Sequence, residues 1–88
     1  VNKGTVGTLY AVMARHQFRA IKASPQSVTW VRGRRYGRRY TAVLLVRSGS
    51  LTLVRSRLLA SGQGKTFADV RGRDPRDIDV WVLGVLRG

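Results

Sequence analysis

Residues 28 to 46 constrain this chain more than any other stretch. Apolar residues run from Val28 to Val31 and again from Thr41 to Val46. Between them lies Gly33-Arg34-Arg35-Tyr36-Gly37-Arg38-Arg39-Tyr40. The pattern predicts two β-strands joined by a turn, because a glycine-containing polar run between apolar, β-branched segments is a hairpin signal. The same turn concentrates cations. A guanidinium forms bidentate hydrogen bonds to phosphate, and a tyrosine ring stacks on a base or ribose. Arg34, Arg35, Arg38 and Arg39, with Tyr36 and Tyr40 as stacking or packing supports, are therefore candidate nucleic-acid contacts. The competing reading is a solvated turn that keeps the sheet soluble.

The rest of the chain carries the same sign. Lysine and arginine number 17 against four acids, for a formal net charge of +13. Fourteen of the cations are arginine, glutamate is absent, and Asp69, Asp74, Asp77 and Asp79 crowd into one short segment. Self-repulsion on this scale points to a polyanionic partner that relieves it. Hydrophobic residues make up 43% of the 88 residues, a globular composition that suits one domain spanning 1–88 and excludes a disordered basic tail. No run of about eighteen apolar residues offers a membrane span. The N-terminal stretch is broken by glycine and meets Arg15 and His16, unlike a signal peptide. Cysteine is absent, which removes disulfides and thiolate metal sites. A cytoplasmic location on or near nucleic acid is the expectation.

Val6, Leu9, Tyr10, Met13, Ala20 and Ile21 fall at helical spacing and predict an amphipathic helix over 5–22, with Thr5 as N-cap and Pro25 closing it. Phe18 lies off that stripe. Strands are expected at 27–32, at 39–46 (apolar on both faces, hence central) and at 51–57. Residues 66–70 suit a short strand or a helical turn. Ile78 to Leu86, rich in Val80, Val82, Val85 and Trp81, reads as a buried strand. The expected class is α+β: one N-terminal amphipathic helix packed on a small, mostly antiparallel sheet, in the order α-β-β-β-loop-β. Arg55 and Arg57, two apart, would share a strand face and, with Arg32, widen the basic surface of the hairpin.

Other motifs bear on chemistry. Ser61-Gly62-Gln63-Gly64-Lys65-Thr66 ends like a phosphate-binding loop, but Leu59 stands where the motif requires glycine. His16, the only histidine, has no carboxylate near it in sequence to orient it as a base. On a strand, Asp77 and Asp79 would share a face, but flanking arginines favour ion pairs or a cap over metal binding. Trp30 and Trp81 are expected in the core, with Trp30 also placed to offer a stacking platform beside the basic turn. No catalytic residue, metal site or cofactor is expected.

Lys3-Gly4 ahead of a helix bearing Gly7, Ala11 and Ala14, a following hairpin, and the closing Asp77-Ile78-Asp79-Val80-Trp81-Val82-Leu83 resemble archaeal Holliday-junction resolvases and related PD-(D/E)XK nucleases. That resemblance implies a nuclease-like fold acting on DNA. The family's acids have no counterpart here, because the helix carries none, Ser27, Thr29 and Arg32 occupy the first hairpin, and 51–57 reads Leu-Thr-Leu-Val-Arg-Ser-Arg. Metal-assisted phosphodiester hydrolysis needs such carboxylates.

The functional expectation is a non-enzymatic nucleic-acid-binding protein that contacts phosphates through the Arg/Tyr hairpin, with duplex DNA the leading partner. The alternatives are an RNA-binding ribosomal or ribonucleoprotein component, and a degenerate or weakly active nuclease-fold protein. A homodimer through an uncovered sheet face or edge is a further possibility.

Overall fold

The structure, a computed structural model, describes residues 3–33, 39–48, 50–68 and 74–87. The expected contacts Arg34, Arg35, Tyr36 and Arg38, at the tip of the basic hairpin, lie outside the described residues. In chain order the elements are α1 (Lys3–Arg15), β1 (Arg19–Ala23), β2 (Ser27–Gly33), β3 (Arg39–Arg47), β4 (Ser50–Arg55), a 3-10 helix (Ser56–Ser61), β5 (Lys65–Ala68) and α2 (Pro75–Arg87). The five strands form one antiparallel meander in sequence order, so β3 is the central strand, as its two apolar faces predict. The class is α+β, with the N-terminal helix packed on an antiparallel sheet.

Alternation along the strands builds the core. Val28 and Trp30 on β2, Ala42 and Leu44 on β3, and Leu51 and Leu53 on β4 are buried on one face. That face receives Leu9, Val12 and Met13 from α1 and Ile78, Trp81, Val82 and Val85 from α2. Trp30 is 1% exposed and meets the Tyr10 ring edge-on, with centroids 5.3 Å apart. Trp81 is 8% exposed, stacks on Phe67 at 5.0 Å and donates from Nε1 to the Lys65 carbonyl at 2.9 Å. Trp30 is thus a deep core residue and offers no stacking platform to a ligand.

The first helix ends seven residues before its expected limit. Gln17 takes a left-handed φ of 67°. Phe18 N–H then donates to the Met13 carbonyl at 3.0 Å and Gln17 N–H to the Ala14 carbonyl at 2.9 Å. These are the two bonds of a Schellman cap. Phe18, expected off the apolar stripe, is turned by this cap into the core cluster that holds Met13 and is 5% exposed. The chain beyond pairs with β2 as an edge strand, leaving Ile21 54% exposed instead of in the core. A bulge between Ala20 and Lys22 interrupts this pairing, and exposed Arg19 and Lys22 charge the edge, features that discourage edge-to-edge association. Thr5 is buried within the first turn of α1 and is not its N-cap.

The last segment is a helix and not the expected strand. Its buried positions, Ile78, Trp81, Val82 and Val85, follow the i, i+3, i+4, i+7 spacing, while Val80 is 69% exposed. Asp74 caps it: its Oδ1 accepts from the Arg76 N–H at 2.8 Å and its carbonyl accepts from Asp77 N–H at 2.9 Å. Pro75 follows at the first helical position, where a missing N–H costs nothing. β-Branched content suggested a strand, but the capping sequence and the burial of one helical face decide for a helix. No helix among the described residues is long and apolar enough to cross a membrane.

Two stability outcomes follow. Gln17→Gly removes the strain of a left-handed non-glycine residue and is expected to stabilise by about 0.5–1 kcal/mol, after the entropy glycine adds to the unfolded chain. A melting temperature that stays put or falls would sink this account of the cap. Trp30→Ala is expected to cost about 3–5 kcal/mol in chemical denaturation, at least as much as Trp81→Ala.

Candidate nucleic-acid interface

Strand register decides which arginines meet. Arg32 on β2 is paired with Tyr40 on β3, and Ala42 on β3 with Arg55 on β4. Because side chains two apart share a face, Arg32, Tyr40 and Arg55 lie on the same side as Trp30, Ala42 and Leu53. Each row of that face runs from apolar residues under the helices to a basic or aromatic residue near the hairpin tip. The core and the candidate site are one surface.

Aromatic rings hold the guanidinium groups. Arg32 Cζ lies 4.9 Å from the centroid of the Phe18 ring and 4.9 Å from that of Tyr40, and Arg55 Cζ lies 5.4 Å from Tyr40. Arg32 Nη1 also donates to the His16 carbonyl at 3.4 Å. A guanidinium over a ring keeps its charge and leaves its N–H edge available for a phosphate fork. Tyr40, approached from the strands on both sides, is therefore a packing support for two cations.

Arg32, Arg39, Tyr40, Arg55, Arg57 and Leu86 line a cavity of ≈ 520 Å³. Arg39, Tyr40, Arg55 and Arg57 also line a neighbouring hollow of ≈ 270 Å³ with Ser56 and Thr41. Among the described residues no carboxylate pairs with any of these four arginines. Such a recess, lined by like charges beside low-dielectric walls, focuses a positive potential. Arg57 reaches it by a different route from the one expected. β4 stops at Arg55, so the two do not share a strand face, and Arg57 enters from the 3-10 helix. Arg47 sits at the far end of β3, eight residues from Arg39 and about 26 Å away at the usual strand rise, and does not extend this surface.

None of the described acids lines these cavities. Asp79 Oδ1 is 3.2 Å from His16 Nε2 and 3.8 Å from Arg15 Nη2. The fold thus supplies the carboxylate that His16 lacks in sequence, and uses it to link the end of α1 to α2. Asp77 and Asp79, two apart on a helix, do not share a face. No group of three or more His, Asp or Glu among the described residues could hold a metal ion. Phe18, His16 and Leu86 escaped the sequence reading of the site because long-range packing alone brings them to the arginines.

The glycine-rich loop has a structural explanation. Gly62 caps the 3-10 helix at φ 69°, and its N–H donates to the Leu59 carbonyl at 3.2 Å. Gly64 N–H donates to the Gly62 carbonyl at 3.0 Å, so both amides are spent within the loop. A Cβ on Gly64 would sit 2.8 Å from Thr52 Cγ2 and 3.1 Å from Val54 Cβ. Gly64→Ala is expected to destabilise by about 1–3 kcal/mol through this overlap with β4. An unchanged denaturation midpoint would show that the contact relaxes freely.

No family model matches the chain, and comparison with curated proteins and with solved structures gives no match either.

Proposed function

We propose that this chain is a non-enzymatic nucleic-acid-binding protein that contacts phosphates, with duplex DNA as the leading partner. The observation that supports this reading is the recess lined by Arg32, Arg39, Arg55 and Arg57, with Tyr40 between Arg32 and Arg55 and no carboxylate partner for these arginines among the described residues. Guanidinium groups lining one recess repel one another, and a phosphate backbone offsets that repulsion while accepting their N–H groups. Arg34, Arg35 and Arg38, with Tyr36, which lie between β2 and β3 in the sequence, belong to the proposed contact set. Phosphate contacts position a ligand without specifying it, so an RNA component is the alternative partner.

The reading is tested by replacing Arg39, Arg55 and Arg57 together with glutamine and titrating duplex DNA over a range of salt. Each lost phosphate contact flattens the log–log salt slope by about 0.9, so the triple variant is expected to lose up to about 2.7 while staying folded. Unchanged affinity and slope in the folded variant would remove the recess from the interface. RNA as the true partner would show as a structured RNA outcompeting the duplex at equal salt.

Metal-dependent cleavage is not expected, despite the resolvase-like order of the first elements. Incubation of pure protein with a four-way junction or linear duplex and Mg²⁺ or Mn²⁺ should leave the DNA intact. Cleavage that disappears with Asp79→Ala would overturn the non-enzymatic reading.

A further inference from the structure

A third cavity adjoins the basic recess, and we propose that it takes an unpaired nucleobase. This inference rests on the nucleic-acid reading above and adds to it the kind of nucleic acid preferred: one with an extruded or unstacked nucleotide.

The cavity has a volume of ≈ 390 Å³, within the range of small-molecule sites. Leu53, Leu58 and Val85 supply apolar walls, and Arg55, Lys65 and Gln63 supply hydrogen-bonding groups. Two links join it to the phosphate recess. Arg55 lines both cavities, and Val85 lines one while its neighbour Leu86 lines the other. A ligand filling both would carry an anion next to a body with apolar faces and a polar edge. A nucleotide has that composition: phosphate on the recess side, and a base with flat π faces and donor–acceptor edges. An acyl chain beside an anionic headgroup would leave Gln63 and Lys65 without use.

Gly84 explains how Lys65 reaches this cavity. It sits in the last turns of α2, where alanine is the better helix former by about 1 kcal/mol, and it lines this cavity. A Cβ there would come 3.1 Å from Lys65 Nζ and 3.4 Å from Lys65 Cδ. Those atoms belong to a flexible side chain, so the backbone tolerates a larger residue. What glycine makes room for is the Lys65 side chain, which lies across this turn of α2 and lines the same cavity.

The test uses the full chain and three labelled duplexes of one sequence, measured by fluorescence anisotropy at fixed salt. One duplex is fully paired, one carries a single unpaired 2-aminopurine, and one carries an abasic residue at the same bulge. The unpaired 2-aminopurine duplex is expected to bind about tenfold tighter than the paired one, the scale of burying one base against apolar walls. The abasic bulge, which keeps the bend and the phosphate but lacks the base, should bind like the paired duplex. Gly84→Leu fills the cavity and should abolish the tenfold preference while leaving affinity for the paired duplex unchanged. Should Gly84→Leu fail to fold by circular dichroism, Gly84→Ala decides, with a partial loss of preference and a raised melting temperature expected.

Equal wild-type affinity for all three duplexes overturns the base cavity and leaves the phosphate reading standing. A folded Gly84 variant with its preference intact does the same. Absence of salt-dependent binding to any duplex overturns the phosphate reading, and the base cavity falls with it.

Discussion

Both helices depend on a single sheet face, and that shared burial is the constraint from which the molecule follows. The rows ending in Trp30, Ala42 and Leu53 present a surface that α1 and α2 must divide between them. Trp30 fills the centre, edge-on to Tyr10. Each large side chain buried there contributes about 1.5–3 kcal/mol, and the chain needs that contribution because a net charge of +13 opposes compaction. A domain of this size has little stability to spare. The core is what permits so much positive charge to be held in one place.

The candidate site is a continuation of the core by other means. Where the strands outrun the helices, the same rows exchange Trp and Leu for Arg32, Tyr40 and Arg55. Aliphatic stems and rings keep packing, while the guanidinium heads reach the recess. Arginine suits this position better than lysine, since a planar cation lies against a ring and still presents a fork of donors. The strand pairing that buries Trp30 therefore also sets the spacing of the cations.

The hairpin and the central place of β3 were legible in the sequence because alternation and two-faced apolarity are local patterns. Arg32, Tyr40 and Arg55 could be named for the same reason. The C-terminal helix was obscured by its β-branched residues, although Asp74-Pro75-Arg76-Asp77 is a helix-start signal and Ile78, Trp81, Val82 and Val85 keep helical spacing. β1 was hidden more deeply. Arg19-Ala20-Ile21-Lys22-Ala23 has no strand signature, and only pairing with β2 makes it one. Its separation from α1 rests on Gln17, a residue type that rarely takes the conformation found there. Phe18, His16 and Leu86 are brought to the arginines by contacts between elements distant in sequence, which no local pattern encodes.

Tyr40 stands beside two cations at once, and this ties the fates of Arg32 and Arg55 together. A change at either position alters the ring orientation available to the other, so their effects should combine non-additively, as for any groups sharing a partner. Substitutions at these three positions are then coupled: phenylalanine at position 40 preserves the platform, whereas an aliphatic residue releases both guanidinium groups together. The recess behaves as one unit, in which a single aromatic ring sets the latitude of two strands.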